Sequence, residues 1–380
     1  MKVYLDYNST TPLHEEVAES IAHSLAMYEN PSGLYERATY NRQKIDIARQ
    51  QLAALLNADP EELVFTSGGT ESNNTVLSLC HLLDISNANE KKKEVIVSAI
   101  EHHSVLNCAQ NLEKYGIKVH YIPVDRSGRI ELEAYKTMLS DTTAIVSIML
   151  ANNELGTIQD IKSLAALAHQ SGALFHTDAV QAVAKMTVDV KDLDVDFLSV
   201  SGHKFYGPKG IGALYVKNGS LFTPLNLGGK QEAGRRGGTE NIPGIIGLGK
   251  AAEVVMRDGE KWNTKLKMLK AKLNEGLFSS IDHIQINGNP EHCLSQTVNM
   301  SIEGVDAETL LVCLDAKGIS VSSGAACNSG SLSHVLQAIG VEKNLLQSTL
   351  RISLGYHNTE EDIDYTVRQM CDIVHAIRKL

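Results

Sequence analysis

Two stretches, Leu174-Phe-His-Thr-Asp-Ala-Val-Gln181 and Phe197-Leu-Ser-Val-Ser-Gly-His-Lys204, decide how this chain folds. Each begins with an apolar run of strand length and ends on polar residues. Asp178 follows the first run; Lys204 follows the second. In open α/β sheets, ligands bind beyond the carboxyl ends of strands. An Asp and a Lys at neighbouring strand ends can therefore face one cavity.

The same grammar extends outward. Further apolar runs lie at about Leu63–Thr66, Val95–Ser98, Val119–Val124, Ala144–Met149 and Gly212–Val216. Helical patterns lie at about Glu71–Leu83, Ser104–Tyr115 and Ile161–Gln170, with two more before them near Glu15–Ala26 and Tyr40–Asn57. Strands alternating with helices predict an α/β fold with a mainly parallel seven-stranded sheet. The last three runs are closer together, so one strand is expected to be antiparallel. Past Gly249 the pattern changes to a long helix, about Lys250–Phe278, then strands near Gln296–Ile302, Ile319–Ser322 and Leu350–Ser353. Helices follow at about Ala307–Asp315 and Glu360–Lys379. This reads as a smaller α+β domain. The expected division is 14–257 for the large domain, with 1–13 and 258–380 forming the small one.

Bulk properties exclude several classes. The chain has 380 residues, 43% of them hydrophobic, enough for more than one core. Its net charge is −10, and no Lys/Arg run carries interleaved aromatics, so direct nucleic-acid binding is not expected. No CxxC pair occurs among the six cysteines, and no metal site is expected. No signal-type leader or membrane-length apolar run is present, which predicts a cytoplasmic protein with free thiols.

The strand ends carry the chemistry. Thr66-Ser-Gly-Gly-Thr-Glu-Ser-Asn-Asn74 is a strand, a glycine turn and a helix start, which suits a phosphate or is simply a capped turn. Of His102 and His103, at most one is expected to face a site; either could be a loop histidine. Asn152-Asn153 could bond a ligand or make an Asx turn toward Gly156. Asp178 and Lys204 could form a buried salt bridge. They also meet the needs of pyridoxal phosphate (PLP), which requires a Schiff-base lysine and an acid that keeps its ring nitrogen protonated. Arg351, inside a strand, needs an internal carboxylate or a substrate carboxylate. Cys80, Cys313 and Cys371 sit in apolar helical runs and read as buried thiols. Cys327 sits in Ser322–Ser331, among Ser, Gly and Ala, where exposure and reactivity are expected.

In order along the chain, these pieces resemble the cysteine desulfurases, the NifS/IscS-like group of fold-type-I PLP enzymes. The resemblance runs from Tyr4 to about Tyr365. It is most specific at Thr66–Asn74, Asn152-Asn-Glu154, His176–Gln181, Ser201–Lys204, Gly234-Arg-Arg-Gly-Gly-Thr-Glu-Asn241 and Ser322–Ser331. It implies a PLP-dependent transferase fold and removal of sulfur from L-cysteine, giving L-alanine and a persulfide. By resemblance Lys204 would carry the cofactor, Asp178 would pair with the ring nitrogen and Gln181 would bond the ring 3-oxygen. His102 would stack on the ring and move protons. Gly69, Thr70, Ser201 and His203 would hold the phosphate, with Thr239 lent by the second subunit of a homodimer. Asn153 and Arg351 would hold the substrate carboxylate. Cys327 would take the sulfur and pass it to a protein acceptor, for iron–sulfur assembly, tRNA thiolation or DNA phosphorothioation.

The chain also departs from the family pattern. Tyr35 stands where the family has a histidine, and a Glu-Pro pair is missing between Leu332 and Ser333. The chain stops at Leu380, where relatives that feed iron–sulfur scaffolds commonly carry a docking tail; this weakens that pathway. A selenocysteine lyase or aminotransferase would keep Asp178 and Lys204 without needing Cys327. A non-catalytic protein that only docks partners or carries persulfide would not need Lys204. A Rossmann nucleotide binder is disfavoured by the absence of GxGxxG.

Overall fold

Runs rich in Val, Ile, Leu and Phe with little polar alternation must be covered on both faces, and the strands of the large sheet are buried along almost their whole length, except the edge strand Lys118–Ile122, where only Ile122 is buried. The computed structural model describes residues 1–85, 93–323 and 332–379. Its strands, in chain order, are β1 (Val3–Tyr4), β2 (Leu63–Thr66), β3 (Glu94–Ser98), β4 (Lys118–Ile122), β5 (Thr143–Ser147), β6 (Leu174–Asp178) and β7 (Phe197–Ser201). Then come β8 (Gly212–Val216), β9 (Ile284–Ile286), β10 (Thr297–Ile302), β11 (Ile319–Ser320), β12 (Ser322–Ser323) and β13 (Thr349–Ser353).

Seven strands form one sheet in the order β2-β8-β7-β6-β5-β3-β4. β8 runs antiparallel to both β2 and β7, and the remaining pairings are parallel. The expected α/β sheet, with its one reversed strand, is present. A second sheet, β12-β13-β10-β9, is antiparallel, and β1 pairs with β11. The N-terminus thus packs on the distant second half of the chain.

The long helix spans Ile242–Ser280, eight residues earlier than the sequence pattern suggests. Gly244, Gly247 and Gly249 disguised its start. A Cβ on Gly249 would fall 2.5 Å from Ala48 Cα, so this glycine lets the helix lie close against the helix Glu36–Leu56. Ile245, Leu248 and Ala252 join the core under the large sheet, while Leu266, Leu269 and Leu273 join the core of the second sheet. Residue 258 therefore falls inside a continuous helix. A separate cluster, including Ile100, Met149, Leu155, Val335 and Leu336, links strand ends of the large sheet to the helix His334–Ala338.

Candidate active site

The ends of β6 and β7 open into a cavity of about 570 Å³. Asp178 is the last residue of β6, and Lys204 closes the tight turn Gly202–Lys204 after β7. Parallel pairing of the two strands brings these ends side by side. Asp178 is 6% exposed, and its carboxylate accepts from Val180 N at 2.9 Å and from Asn73 Nδ2 at 2.7 Å. Among the described residues it forms no ion pair, so the alternative reading of a structural Asp178–Lys204 salt bridge is not met. A buried carboxylate of this kind favours a cationic ligand group.

Lys204 Nζ donates to Asn8 O and Ser9 O, both at 2.7 Å. Burial, then the Arg351 charge, push its pKa down to about 8, against the opposing pull of Asp178 and Asp6. A substantial share of the amine is then neutral and nucleophilic near physiological pH.

Gly69 and Thr70 begin the helix Gly69–Ile85, whose N-terminal end lines the cavity. Free backbone N–H groups and the helix dipole suit an anion there. A Cβ on Gly212 would lie 2.3 Å from Val200 O and 2.7 Å from Gly68 Cα. Only glycine on β8 lets the turn before this helix close down beside Ser201. His203 lines the same cavity, and burial with the nearby Lys204 charge lowers its pKa to about 4, so it is neutral.

His102 caps the helix His103–Leu112, with Nδ1 accepting from Ser104 N at 3.1 Å. That contact assigns the ring proton to Nε2. Burial of the ring by the cavity walls lowers its pKa, with Asp178 opposing. The expectation that only one of the two histidines faces the site is corrected, because His103 also lines the cavity. The chain turns into a helix between them, leaving their ring planes 88° apart. The two asparagines do divide their labour. Asn152 Oδ1 accepts from the N–H groups of Glu154 and Leu155 at 2.9 Å, an Asx turn, while Asn153 lines the cavity.

The opposite wall comes from the N-terminal segment and the second sheet. Arg351, 3% exposed on β13, donates from Nη2 to Asp6 Oδ1 at 2.8 Å and to Ser9 Oγ at 2.9 Å. Nη1 donates to Asn153 O at 3.1 Å, and Nε is buried without a partner. Arg351 thus has its internal carboxylate and still lines the cavity. Ser333 Oγ donates to Glu154 Oε2 at 2.5 Å, and His334 Nε2 lies 3.0 Å from Glu101 O. These contacts fix the residues just after the Cys327 segment. Burial raises Glu154 to about 7 and Glu101 to about 8.

Gln181 also lines the cavity. Thr239 does not; it is exposed on the segment before the long helix. Cys327 and the side chain of Cys80 lie outside the described residues. Cys313 and Cys371 pack against the second core but are only partly buried, short of the full burial expected, and burial raises the Cys108 thiol to about 11. Sequence reasoning missed Asn8, Ser9 and Asn73 as cavity residues. The signal for Asn8 and Ser9 was present: a short strand followed by small polar residues, as at the other strand ends.

These residues fit PLP. The cavity offers a depressed-pKa amine, a carboxylate without an ion pair and a helix N-terminus with a glycine turn. Asn73 Oδ1 and Arg351 Nε stand as buried polar atoms without partners on its walls. Among the described residues no cluster of His, Cys, Asp or Glu could hold a metal ion, and no helix is long and apolar enough to cross a membrane.

The model of the family described as aminotransferase class-V matches residues 3–366. A cysteine desulfurase IscS from Methanosarcina thermophila is 44% identical, over 100% of this chain and 93% of that protein. Cysteine desulfurase NifS from Azotobacter vinelandii is 41% identical, over 100% of this chain and 94% of that one. Among solved structures, a NifS-like protein matches with a TM-score of 0.92 at 34% identity, over 99% of this chain and 100% of that one. SspA in complex with cysteine matches with a TM-score of 0.82 at 36% identity, over 94% of this chain and 100% of that one. With a fold-type-I architecture and a cavity suited to the cofactor, this chain belongs to the aminotransferase class-V family and, within it, to the PLP-dependent cysteine desulfurases.

Proposed function

We propose the following division of labour in the desulfurase reaction, in which L-cysteine and an enzyme thiol give L-alanine and an enzyme persulfide. One observation carries it: Lys204, Asp178 and Arg351 open on a single cavity. When bound, PLP supplies an electron sink for the bonds around the substrate Cα. Lys204 would hold the cofactor through its amine and would move the proton at the substrate Cα. Asp178 keeps the ring nitrogen protonated. Gln181 donates to the ring 3-oxygen, and His102 stacks on the ring and assists proton transfer. Gly69, Thr70, Ser201 and His203 hold the phosphate.

Asn153 and Arg351 hold the substrate carboxylate, the guanidinium through its free Nε edge. Cys327 attacks the substrate sulfur as a thiolate. An S–S bond forms and the Cβ–S bond breaks. The electron pair of that bond goes to carbon, which takes a proton and leaves as the methyl of alanine. The persulfide passes to a protein acceptor, for which persulfide-loaded protein is the bait.

We further propose a large domain of residues 14–257 and a small one of 1–13 and 258–380. The protein is a cytoplasmic homodimer. Thr239, exposed and outside its own cavity, completes the phosphate site of the second subunit. A monomer with full cofactor content in sedimentation contradicts that assembly.

The deciding experiment is Cys327→Ser. The variant binds PLP, changes its absorbance on adding cysteine, and then stalls, because a hydroxyl is a poor nucleophile toward sulfur. Alanine release at the wild-type rate would remove Cys327 as the acceptor.

A further inference from the structure

Lys185 is a buried amine that none of these roles uses. Its Nζ donates to Asn8 Oδ1 at 3.1 Å and to Gln181 Oε1 in a short contact. It forms no ion pair among the described residues. Gln181, four residues earlier in the chain, lines the cavity, whereas Lys185 stands behind it. Gln181 Nε2 donates to Asn8 O at 2.9 Å, the carbonyl that also accepts from Lys204. Asn8 Nδ2 donates in turn to Thr297 Oγ1 at 2.9 Å.

The backbone is strained to place this amine. Ala184 has φ +70°, a left-handed conformation that residues other than glycine rarely adopt. Strain of this kind persists where surrounding contacts over-determine it, and it clusters at functional sites. Asn263 Nδ2 holds the Ala184 carbonyl at 3.2 Å from the long helix. The turn is therefore clamped from outside and directs Lys185 inward.

An amide can present either end to a cavity. Asn8 O can only accept and already holds Gln181 Nε2, so the Gln181 oxygen is the end that Lys185 meets and donates to. The second N–H of the Gln181 amide is thereby left for the cavity side. We propose that Lys185 is a positioning residue that locks the Gln181 amide with its donor end toward the ring 3-oxygen of PLP. This rests on the reading that Gln181 donates to that oxygen. Burial holds the Lys185 pKa well below its usual value, with Lys204 and Arg351 adding to the effect. The amine need not be charged to act, since both of its partners are carbonyl oxygens.

The test is the pH midpoint of the cofactor's visible absorption, read on holoenzyme without substrate. An oxyanion that loses a hydrogen-bond donor becomes more basic and keeps the proton it shares with the Schiff-base nitrogen to higher pH. Gln181→Ala should raise the midpoint by about one unit, the scale of a hydrogen bond to a charged group. Lys185→Met should raise it in the same direction, and Lys185→Gln, which keeps a donor amide, should raise it less. In the Gln181→Ala background Lys185→Met should add nothing, because the two act through one bond. Cofactor content and circular dichroism confirm that each variant is folded and loaded. If Gln181→Ala moves the midpoint and Lys185→Met does not, the inference is wrong. The same holds if Lys185→Met gives its full shift without Gln181. If Gln181→Ala itself leaves the midpoint in place, the underlying role of Gln181 fails instead.

Discussion

The two walls of the cavity are made in different ways. One is a row of strand ends from a single sheet, carrying Asp178, Ser201 and Lys204. The other is stitched from Asp6, Ser9, Asn153 and Arg351, with contacts spanning 198 to 345 residues of chain. The first wall gets its geometry from backbone pairing and stays in place when a side chain changes. The second gets its geometry from side-chain bonds that all meet at one guanidinium. The difference predicts that changes to the first wall remove chemistry, whereas changes to the second weaken substrate binding.

The largest effect should come from Lys204→Ala. It removes the amine that holds the cofactor and moves the proton, so turnover should fall by about a thousandfold or more. Borohydride should then fix no PLP to the chain, while soluble folded protein is still recovered. Mass spectrometry and alanine release read both outcomes. PLP fixed to Lys185 instead would blur the contrast between the walls, since Lys185 would then be an alternative attachment point.

Arg351→Lys sharpens the comparison from the other side. Lysine keeps the charge but loses the planar fork that bonds Asp6, Ser9 and Asn153 together. KM for cysteine should rise about tenfold or more, with kcat changed less and the visible absorption of the cofactor unmoved. A variant with unchanged KM and a shifted absorption band would place Arg351 with the first wall.

The sequence displayed the first wall well. Apolar runs bounded by helices fixed the sheet, and each strand end could be inspected for chemistry. Asp178, Lys204 and the Thr66–Asn74 turn all lie in the cavity or at its edge. The second wall was largely hidden. A two-residue strand at Val3–Tyr4 has no periodicity to detect, and nothing local shows that Asp6 meets Arg351. The start of the long helix was masked by glycines present for close packing, and Lys185 was hidden by a turn that runs against the propensity of alanine. Long-range side-chain contacts and strained backbone are the features that local pattern does not encode.

The smallest expected effect lies at the seam between the walls. Glu101 is fully buried after β3, and its Oε1 accepts from Ser98 Oγ at 2.5 Å and Met149 N at 2.7 Å. Its Oε2 has no partner, which leaves that oxygen for the proton, and its backbone oxygen faces His334 from the other wall. Burial raises its pKa from 4.5 to about 8 in the folded protein. A group raised in this way binds more protons folded than unfolded, so its contribution to stability is full below about pH 4.5 and is lost as pH rises toward 8. Glu101→Gln keeps the shape and removes the titration. Any cost of its unpaired NH2 group is the same at every pH, so the informative quantity is the slope. The melting temperature of the variant minus that of the wild type should climb by a few degrees between pH 5 and pH 8, corresponding to a few kcal/mol at most. Glu154, raised for the same reason, is present in both proteins and cancels in the difference. A flat difference across that range would mean that Glu101 is ionised throughout and that burial does not raise its pKa.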